Sequence, residues 1–441
     1  MKKANNTQAA LLGLQHLLAM YSGAVAVPLL IGTALGFNTE QMTYLVSIDI
    51  FMCGLATLLQ LMRNRYFGIG LPVVLGCAIQ AVEPLKMIGS QFTIQTMYGA
   101  IIVAGIFVCL VSGQFSKVKR LFPPVVTGTL ITVIGLTLIP IAVQNIGGGN
   151  ASAKDFGSLT NITLGFVTVI LILAIQVFAK GFLSSIAVLL GLVSGSLVAA
   201  ALGLVSLAPL HEAPWFHVPQ PFYFGVPHFE WSSSVTMIII ALVSMVESTG
   251  VYFALGDILN KKITEKDLKL GYRAEGMAVI LGGIFNTFPY TTFSQNVGLL
   301  ELSGIKTKRP IYWSAGLLML LGLLPKAGAL ATMIPTPVLG GAMLVMFAMI
   351  SVQGIRILAS VDFTDQRNIL VVAVSIGLGL GVSIYPNIFQ NLPRTVQLFL
   401  GNGIVVASLS SVLLNLVFKG REGLAKKDIK QQVRVLEDVD K

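Results

Sequence analysis

The sequence predicts an all-α polytopic membrane protein of fourteen transmembrane spans, arranged as two inverted seven-span repeats. Three observations predict it. The 441 residues are 55% hydrophobic and only 11% charged, with mean hydropathy +0.83, whereas an average soluble domain carries roughly 25% charged residues. Apolar runs close to the length a span needs, about 20 residues, recur along the chain. The basic residues cluster in alternate loops between those runs, so the formal charge of +10 reads as an orientation signal and excludes a nucleic-acid partner.

Taken in order, the first run, 11–36, follows a basic start but is too long for a signal-peptide core and lacks an A-x-A-like cleavage site, so it is a retained span. The second is 41–62. The third, 69–85, is interrupted by Pro72, Gly76 and Pro84, with β-branched Val73 and Val74 beside the first proline. The fourth to seventh are 93–114, 125–146, 162–179 and 182–205. A long loop, 206–232, then carries His211, His217 and His228 without tight metal-ligand spacing, and these read as surface decoration. The eighth to fourteenth runs are 233–257, 272–288, 291–305, 311–330, 335–355, 368–385 and 395–418. The tenth is as poor a helix as the third, with Pro289, Thr291, Thr292 and Gly298. A mixed-charge tail, 419–441, closes the chain, and Cys53, Cys77 and Cys109 lie inside apolar runs as small packing residues.

With the N-terminus inside, only Lys86, Lys154, Lys326 and Arg394 of the 29 basic residues fall on the outer side. The inner side holds Arg63 and Arg65, Lys117 to Arg120, Lys261 to Arg273, Lys306 to Arg309 and the tail from Lys419. That asymmetry places both termini in the cytoplasm.

Two internal matches support the repeat. Pro124-Val-x-x-Gly128 lies on Pro337-Val-x-x-Gly341, and Pro72 of GLPVVLGCAIQA lies on Pro289 of TFPYTTFSQNVG, at nearly equal offsets of 213 and 217. An odd number of spans per repeat inverts the second copy. The third and tenth spans are then symmetry mates, and interrupted spans at matching positions of inverted halves point to a substrate site near the midplane. Unwound backbone is tolerated there only where protein buries it or it lines a cavity.

The polar residues near such a site are few. Glu247 sits deep in the eighth run among Ser244, Ser248 and Thr249, and an intramembrane carboxylate, costing about 2.5 to 3.5 kcal/mol to insert, is functional by default. Glu275 is either functional or an ion-pair partner of Arg273 or Lys269; His16 is either functional or a packing hydrogen-bonder. Asp49 and Glu301 read as structural or interfacial. Adjacent Gln295 and Asn296 beside a break read as ligand contacts. A glutamine offers a donor and an acceptor together, matching a ring that shows N–H beside C=O, while a carboxylate accepts a second ring N–H. An oxidised nucleobase has that pattern. An inorganic anion would call instead for helix N-termini and arginine without a facing carboxylate. Paired catalytic carboxylates, a nucleophile elbow and a metal motif are missing from the sequence, so an enzyme is not expected.

Ser294-Gln295-Asn296-Val297-Gly298, together with QHLLAMYSGAVAVPL from Gln15, FGIGLPVVLGC from Phe67, FPPVVTG from Phe122 and VESTGVYFALGD from Val246, resembles the nucleobase-ascorbate transporter family, and its bacterial xanthine permeases in particular. The resemblance covers nearly the whole chain. It implies short β-strands in spans 3 and 10, and a core domain of spans 1–4 and 8–11 (1–121 and 233–333). It also implies a gate domain of spans 5–7 and 12–14 (122–232 and 334–418), with 419–441 as a cytoplasmic tail. The implied activity is elevator-type proton symport of xanthine by a homodimer in the plasma membrane, with no cofactor beyond the coupling proton. Carried over by position, Glu247 and Gln295 hold the purine, with backbone at Ile79 and Ser294 completing the pocket; Asn296 orients the tenth span, and Glu275 and His16 support proton coupling and site geometry. Many relatives have an aspartate where this chain has Val251, which shifts proton coupling toward Glu247 and Glu275. Uracil-type relatives carry a carboxylate at the position of Gln295, which favours a purine here. Urate, uracil and, in the same architecture, an inorganic anion are the alternative substrates. A reporter fused after Lys441 is expected to behave as cytoplasmic; extracellular reporter activity there would overturn the fourteen-span scheme.

Overall fold

The computed structural model describes residues 5–115, 122–303 and 306–418, so Lys117 to Arg120 and the 419–441 tail lie outside the described residues. The first half runs through α1 (Asn6–Ala34), α2 (Thr39–Leu61), strand β1 (Leu75–Cys77), a 3-10 turn (Ile79–Ala81), α3 (Val82–Gln91) and α4 (Ile94–Val111). It continues with α5 (Pro124–Ile146), α6 (Leu159–Phe178), α7 (Phe182–Ser185), α8 (Ala187–Ala201) and α9 (Ala208–Glu212). The second half holds α10 (Trp231–Ile258), α11 (Glu265–Ile284), strand β2 (Tyr290–Thr292), α12 (Gln295–Ser303), α13 (Arg309–Gly322), α14 (Pro325–Thr332), α15 (Thr336–Leu358), α16 (Gln366–Ile384), α17 (Arg394–Leu400) and α18 (Gly403–Phe418).

Eight of the described helices are long and apolar enough to cross a membrane, or nine if α13 and α14, bent by 82° at their junction, make one span. The molecule is therefore a multi-pass membrane protein. The other predicted runs have a different form. The third and tenth are short strands followed by short helices, and the fourteenth is the pair α17 and α18. The seventh is α7 and the 15-residue α8. The ninth, α11, begins at Glu265, well before the predicted 272, and its first turns carry Glu265, Lys266, Asp267, Lys269 and Arg273.

Helix starts are fixed by side chains that accept from otherwise orphaned backbone N–H groups. Asn5 with Gln8, Asn38 with Gln41 and Thr264 with Asp267 form reciprocal capping boxes on α1, α2 and α11. Glu230 caps α10, accepting from the Ser232 and Ser233 amides at 3.0 and 2.6 Å.

Small residues let the helices approach closely, as packing inside a membrane requires. Where α4 crosses α11, a Cβ on Gly105 would stand 2.8 Å from the Gly276 carbonyl oxygen, and one on Gly276 would stand 2.8 Å from that of Gly105. The contacts sort the helices into two groups. In one, α1, α2, α4, α10, α11, α13 and α14 pack on each other around β1 and β2; in the other, α5 packs on α15 and α16, and α6 on α8 and α15. Among the described elements few contacts join the groups, chiefly from α1 to α8 and from α10 to α5.

Inside the first group, β1 and β2 pair antiparallel, with Leu75 opposite Thr292, Gly76 opposite Thr291 and Cys77 opposite Tyr290. The ladder extends by one bond at each end, Phe293 N to Val74 O at 2.9 Å and Ala78 N to Pro289 O at 2.8 Å. Side chains reach the outer edges: the Leu75 amide donates to Thr57 Oγ1 on α2 at 3.0 Å, and the Thr292 amide to Ser248 Oγ on α10 at 3.4 Å.

The 206–232 loop crosses the ends of α2 and α4. Tyr44 donates to the Gln220 carbonyl at 3.0 Å and stacks on Tyr223 at 3.8 Å, while His217 meets the Tyr44 ring edge-on at 5.0 Å. His211 and His228 are exposed.

The Glu230 cap gives a pH test. Burial raises its pKa, but hydrogen bonds from Ser233 and Ser232 outweigh this and hold it below the ordinary 4.5. Its contribution is therefore full above that value and is lost as pH falls through the depressed one. Glu230→Gln keeps an acceptor oxygen but loses the charge, and should cost about 0.3–1 kcal/mol at neutral pH, read as a lower melting temperature in detergent. The gap to the unmodified protein should close on acidification below the carboxylate range; a gap that persists there would remove the charged cap.

Candidate functional site

The break in the tenth run places Ser294 and Gln295 at the start of α12, both exposed, with the Ser294 hydroxyl 3.4 Å from Gln295 Oε1. The break in the third run places half-buried Ile79 at the start of the 3-10 turn. Glu247, half-buried near the middle of α10, faces that turn: Gln80 donates through Nε2 to Glu247 Oε2 at 3.0 Å and to Ser244 Oγ at 2.8 Å. The structure thus joins Glu247 to the Ile79 turn through a residue that the sequence reading did not single out. Gln295 makes no hydrogen bond to Glu247.

Ser248, one residue after Glu247, ties α10 to β2. Its hydroxyl lies 3.0 Å from Thr291 Oγ1 and accepts from Thr292 Oγ1 at 3.1 Å. The eighth-run carboxylate is therefore flanked by contacts to both broken segments.

Asn296 is buried, and its Nδ2 donates to the backbone carbonyl of His16 at 3.4 Å. The bond joins α12 to α1 through the His16 main chain rather than its imidazole. His16 itself is buried, and its Nδ1 has no protein partner among the described residues.

Glu275, buried on α11, accepts from the Tyr252 hydroxyl, which settles its partner as a phenol rather than Arg273 or Lys269. The ring of Tyr252 is itself fully buried. Its oxygen accepts from Gln60 Nε2, which also donates to the Gly271 carbonyl at 2.9 Å, while Gln60 Oε1 accepts from the Ile69 amide at 3.2 Å. With Gly70 N bonded to the Gln60 carbonyl at 2.9 Å, this set runs from Glu275 to the segment that leads into β1.

Asp49 is fully buried in α2. It accepts from Tyr290 at Oδ1 and from Cys77 at Oδ2, at 2.8 and 2.7 Å, with Cys53 at 3.9 Å. The two thiols, read from the sequence as packing residues, donate to a carboxylate, and the three groups lie within 4.8 Å of one another. Glu301 is exposed on α12.

Gln80, Tyr252 and Gln60 are the site-linked residues that sequence reasoning missed. Gln80 carried a usable signal, an amide beside the Pro72 and Gly76 break, of the same kind that singled out Gln295. Tyr252 looks like one more apolar aromatic in a span.

The comparisons with known proteins agree with this architecture. Residues 7–388 match the Xan_ur_permease model, described as "Permease family". The chain is 53% identical over 423 residues to the uric acid permease PucK of Bacillus subtilis (strain 168), covering 96% of this chain and 98% of that protein. It is 53% identical over 407 residues to the xanthine permease of the same organism, covering 92% and 93%. Among solved structures, the transmembrane domain of the cyanobacterial bicarbonate transporter BicA superposes with TM-score 0.62 at 16% identity, over 87% of this chain and 97% of that one.

Removing the Tyr252 hydroxyl leaves Glu275 and the Gln60 amide each short of a buried partner, a loss of about 1 to 3 kcal/mol. Tyr252→Phe should therefore lower the melting temperature of the purified protein in detergent. A melting curve superimposable on that of the unmodified protein would show that Tyr252 does not hold Glu275.

Proposed function

Since the chain belongs to the xanthine and uric acid permeases of this family, we propose that it is a proton-coupled symporter importing an oxidised purine, xanthine or urate. The observation that carries the reading is the fixed carboxylate. Gln80 occupies Glu247 Oε2, which leaves the other oxygen to accept a ring N–H, while Gln295 supplies a donor and an acceptor to a lactam edge. Backbone N–H groups at Ser294 and in the Ile79 turn would provide the remaining polar contacts. A permease, not an enzyme, is what the relatives are.

The chain's transport cycle, in this proposal, is an elevator motion of fourteen spans in two inverted repeats. A core of spans 1–4 and 8–11 slides against a gate of spans 5–7 and 12–14, in a plasma-membrane homodimer with both termini cytoplasmic. The thin contact between the two helix groups supports movement of one as a body against the other. Glu247 and Glu275 take up and release the coupled proton, and Asn296 and His16 fix α12 against α1. The likeness to BicA is one of fold alone, at 16% identity. A carboxylate beside the break would repel an inorganic anion, which disfavours an anion exchanger.

Uptake of radiolabelled xanthine, competed by unlabelled urate, uracil, guanine and hypoxanthine, tests the substrate class. Glu247→Gln tests the carboxylate. It should insert normally, since a neutral amide is cheaper in the membrane. Its NH2 turns a donor toward a ring N–H that is also a donor, and it cannot carry a proton. Uptake driven by a proton gradient should fall at least about tenfold, the ratio set by one unsatisfied buried group. Normal uptake with intact pH dependence, or uptake of sulfate or bicarbonate indifferent to Glu247, would overturn the proposal.

A further inference from the structure

Asp49 is a fully buried carboxylate that the transport reading does not use. Its partners are neutral donors, and they converge from one place in the sheet. Cys77 is the last residue of β1 and Tyr290 the first of β2, and the two stand directly opposite each other in register. Both donate to Asp49, Cys77 to Oδ2 at 2.7 Å and Tyr290 to Oδ1 at 2.8 Å. One carboxylate on α2 therefore holds both strands at a single rung.

That rung is the one next to the candidate site. Ala78, bonded to the Pro289 carbonyl at 2.8 Å, continues the ladder by one step, and the next residues are Ile79 and Gln80 of the 3-10 turn. Gln80 then reaches Glu247 at 3.0 Å. The opposite end of the sheet is held by weaker means, the Thr57 and Ser248 hydroxyls at 3.0 and 3.4 Å. A three-residue strand has too few ladder bonds to resist sliding by itself, and a slip of one residue would turn Ile79 and Gln80 away from Glu247.

We propose that Asp49 is a positioning residue: its carboxylate clamps the Cys77–Tyr290 rung of the β1–β2 sheet and so sets where the Ile79–Gln80 turn meets Glu247. The inference rests on the reading of that turn and Glu247 as part of the substrate site. What the clamp requires is acceptor geometry, not charge. In Asp49→Asn the remaining oxygen keeps the Cys77 thiol, the new NH2 donates to the Tyr290 oxygen, and the Tyr290 proton turns to Thr287 Oγ1, already 2.8 Å away. Asp49→Leu, of similar bulk, removes both acceptors.

The test uses the full chain in proteoliposomes, with two readouts. Backbone hydrogen exchange, followed by mass spectrometry over residues 70–82 and 286–296, reports the sheet; equilibrium binding of xanthine and of urate reports the site. Asp49→Leu should speed exchange in both segments together and weaken purine binding on the order of tenfold, as the loss of two buried hydrogen bonds implies. Asp49→Asn should restore both readouts to near the unmodified values. If Asp49→Leu does not fold, Cys77→Ala and Tyr290→Phe each remove one arm of the clamp and should give the same paired loss at smaller size. Unchanged exchange overturns the clamp. Loosened strands with unchanged affinity overturn the positioning role, and an Asp49→Asn variant as impaired as Asp49→Leu shows that charge, not geometry, is needed. Should the unmodified chain bind neither purine, the substrate reading fails on its own, while the exchange readout still decides the clamp.

Discussion

Inside a bilayer a helix can be interrupted only if the backbone groups it releases find other partners, because no water is present to take them. Here the two interruptions satisfy each other. Leu75–Cys77 and Tyr290–Thr292 exchange their freed N–H and C=O groups across a two-stranded sheet, and hydroxyls of Thr57 and Ser248 cover two of the edge donors. The polar groups of the candidate site are arranged about that sheet: Glu247 next to Ser248, Gln80 on the turn after β1, Asn296 on the helix after β2, and Asp49 bonded to the rung of Cys77 and Tyr290.

The same constraint explains why the carboxylates are held by neutral donors. Glu247, Glu275 and Asp49 lie among Gln80, Tyr252, Tyr290 and Cys77, while the ion pair of Arg63 with Asp267, at 2.7 Å, joins the loop after α2 to the first turn of α11. A fixed cation beside Glu247 would neutralise it permanently. Hydrogen-bond donors orient a carboxylate without that cost.

Much of this was legible in the sequence because polar residues and prolines are conspicuous in apolar runs. Pro72, Gly76 and Pro289 marked the two breaks, whereas Gly298 lies inside α12; Glu247, Gln295, Asn296 and Glu275 stood out as polar for the same reason. Their partners were not. Gln80 meets Glu247 from 167 positions away, and Asp49 meets Tyr290 from 241, so neither contact leaves a local periodicity. Tyr252 and the two cysteines count as hydrophobic in any pattern, although each donates a hydrogen bond to a buried carboxylate. The boundary of α11 was misplaced because its charged first turns resemble a loop until Thr264 and Asp267 are seen to cap them.

The pairing of β1 with β2 also dictates an order of events during synthesis. The two strands lie more than 200 residues apart in the chain, and a ribosome adding about 5–20 residues per second needs roughly 10 to 40 s to cover that interval. For most of that time Leu75–Cys77 has left the ribosome and its ladder partner does not yet exist. The nascent segment must be kept at the water boundary, or sheltered by the insertion machinery, until Tyr290–Thr292 arrives. A sheet assembled from both halves of the chain therefore also acts as a checkpoint for completion: a chain truncated before β2 carries β1 with its ladder groups unpaired, a feature by which quality-control proteases could recognise it.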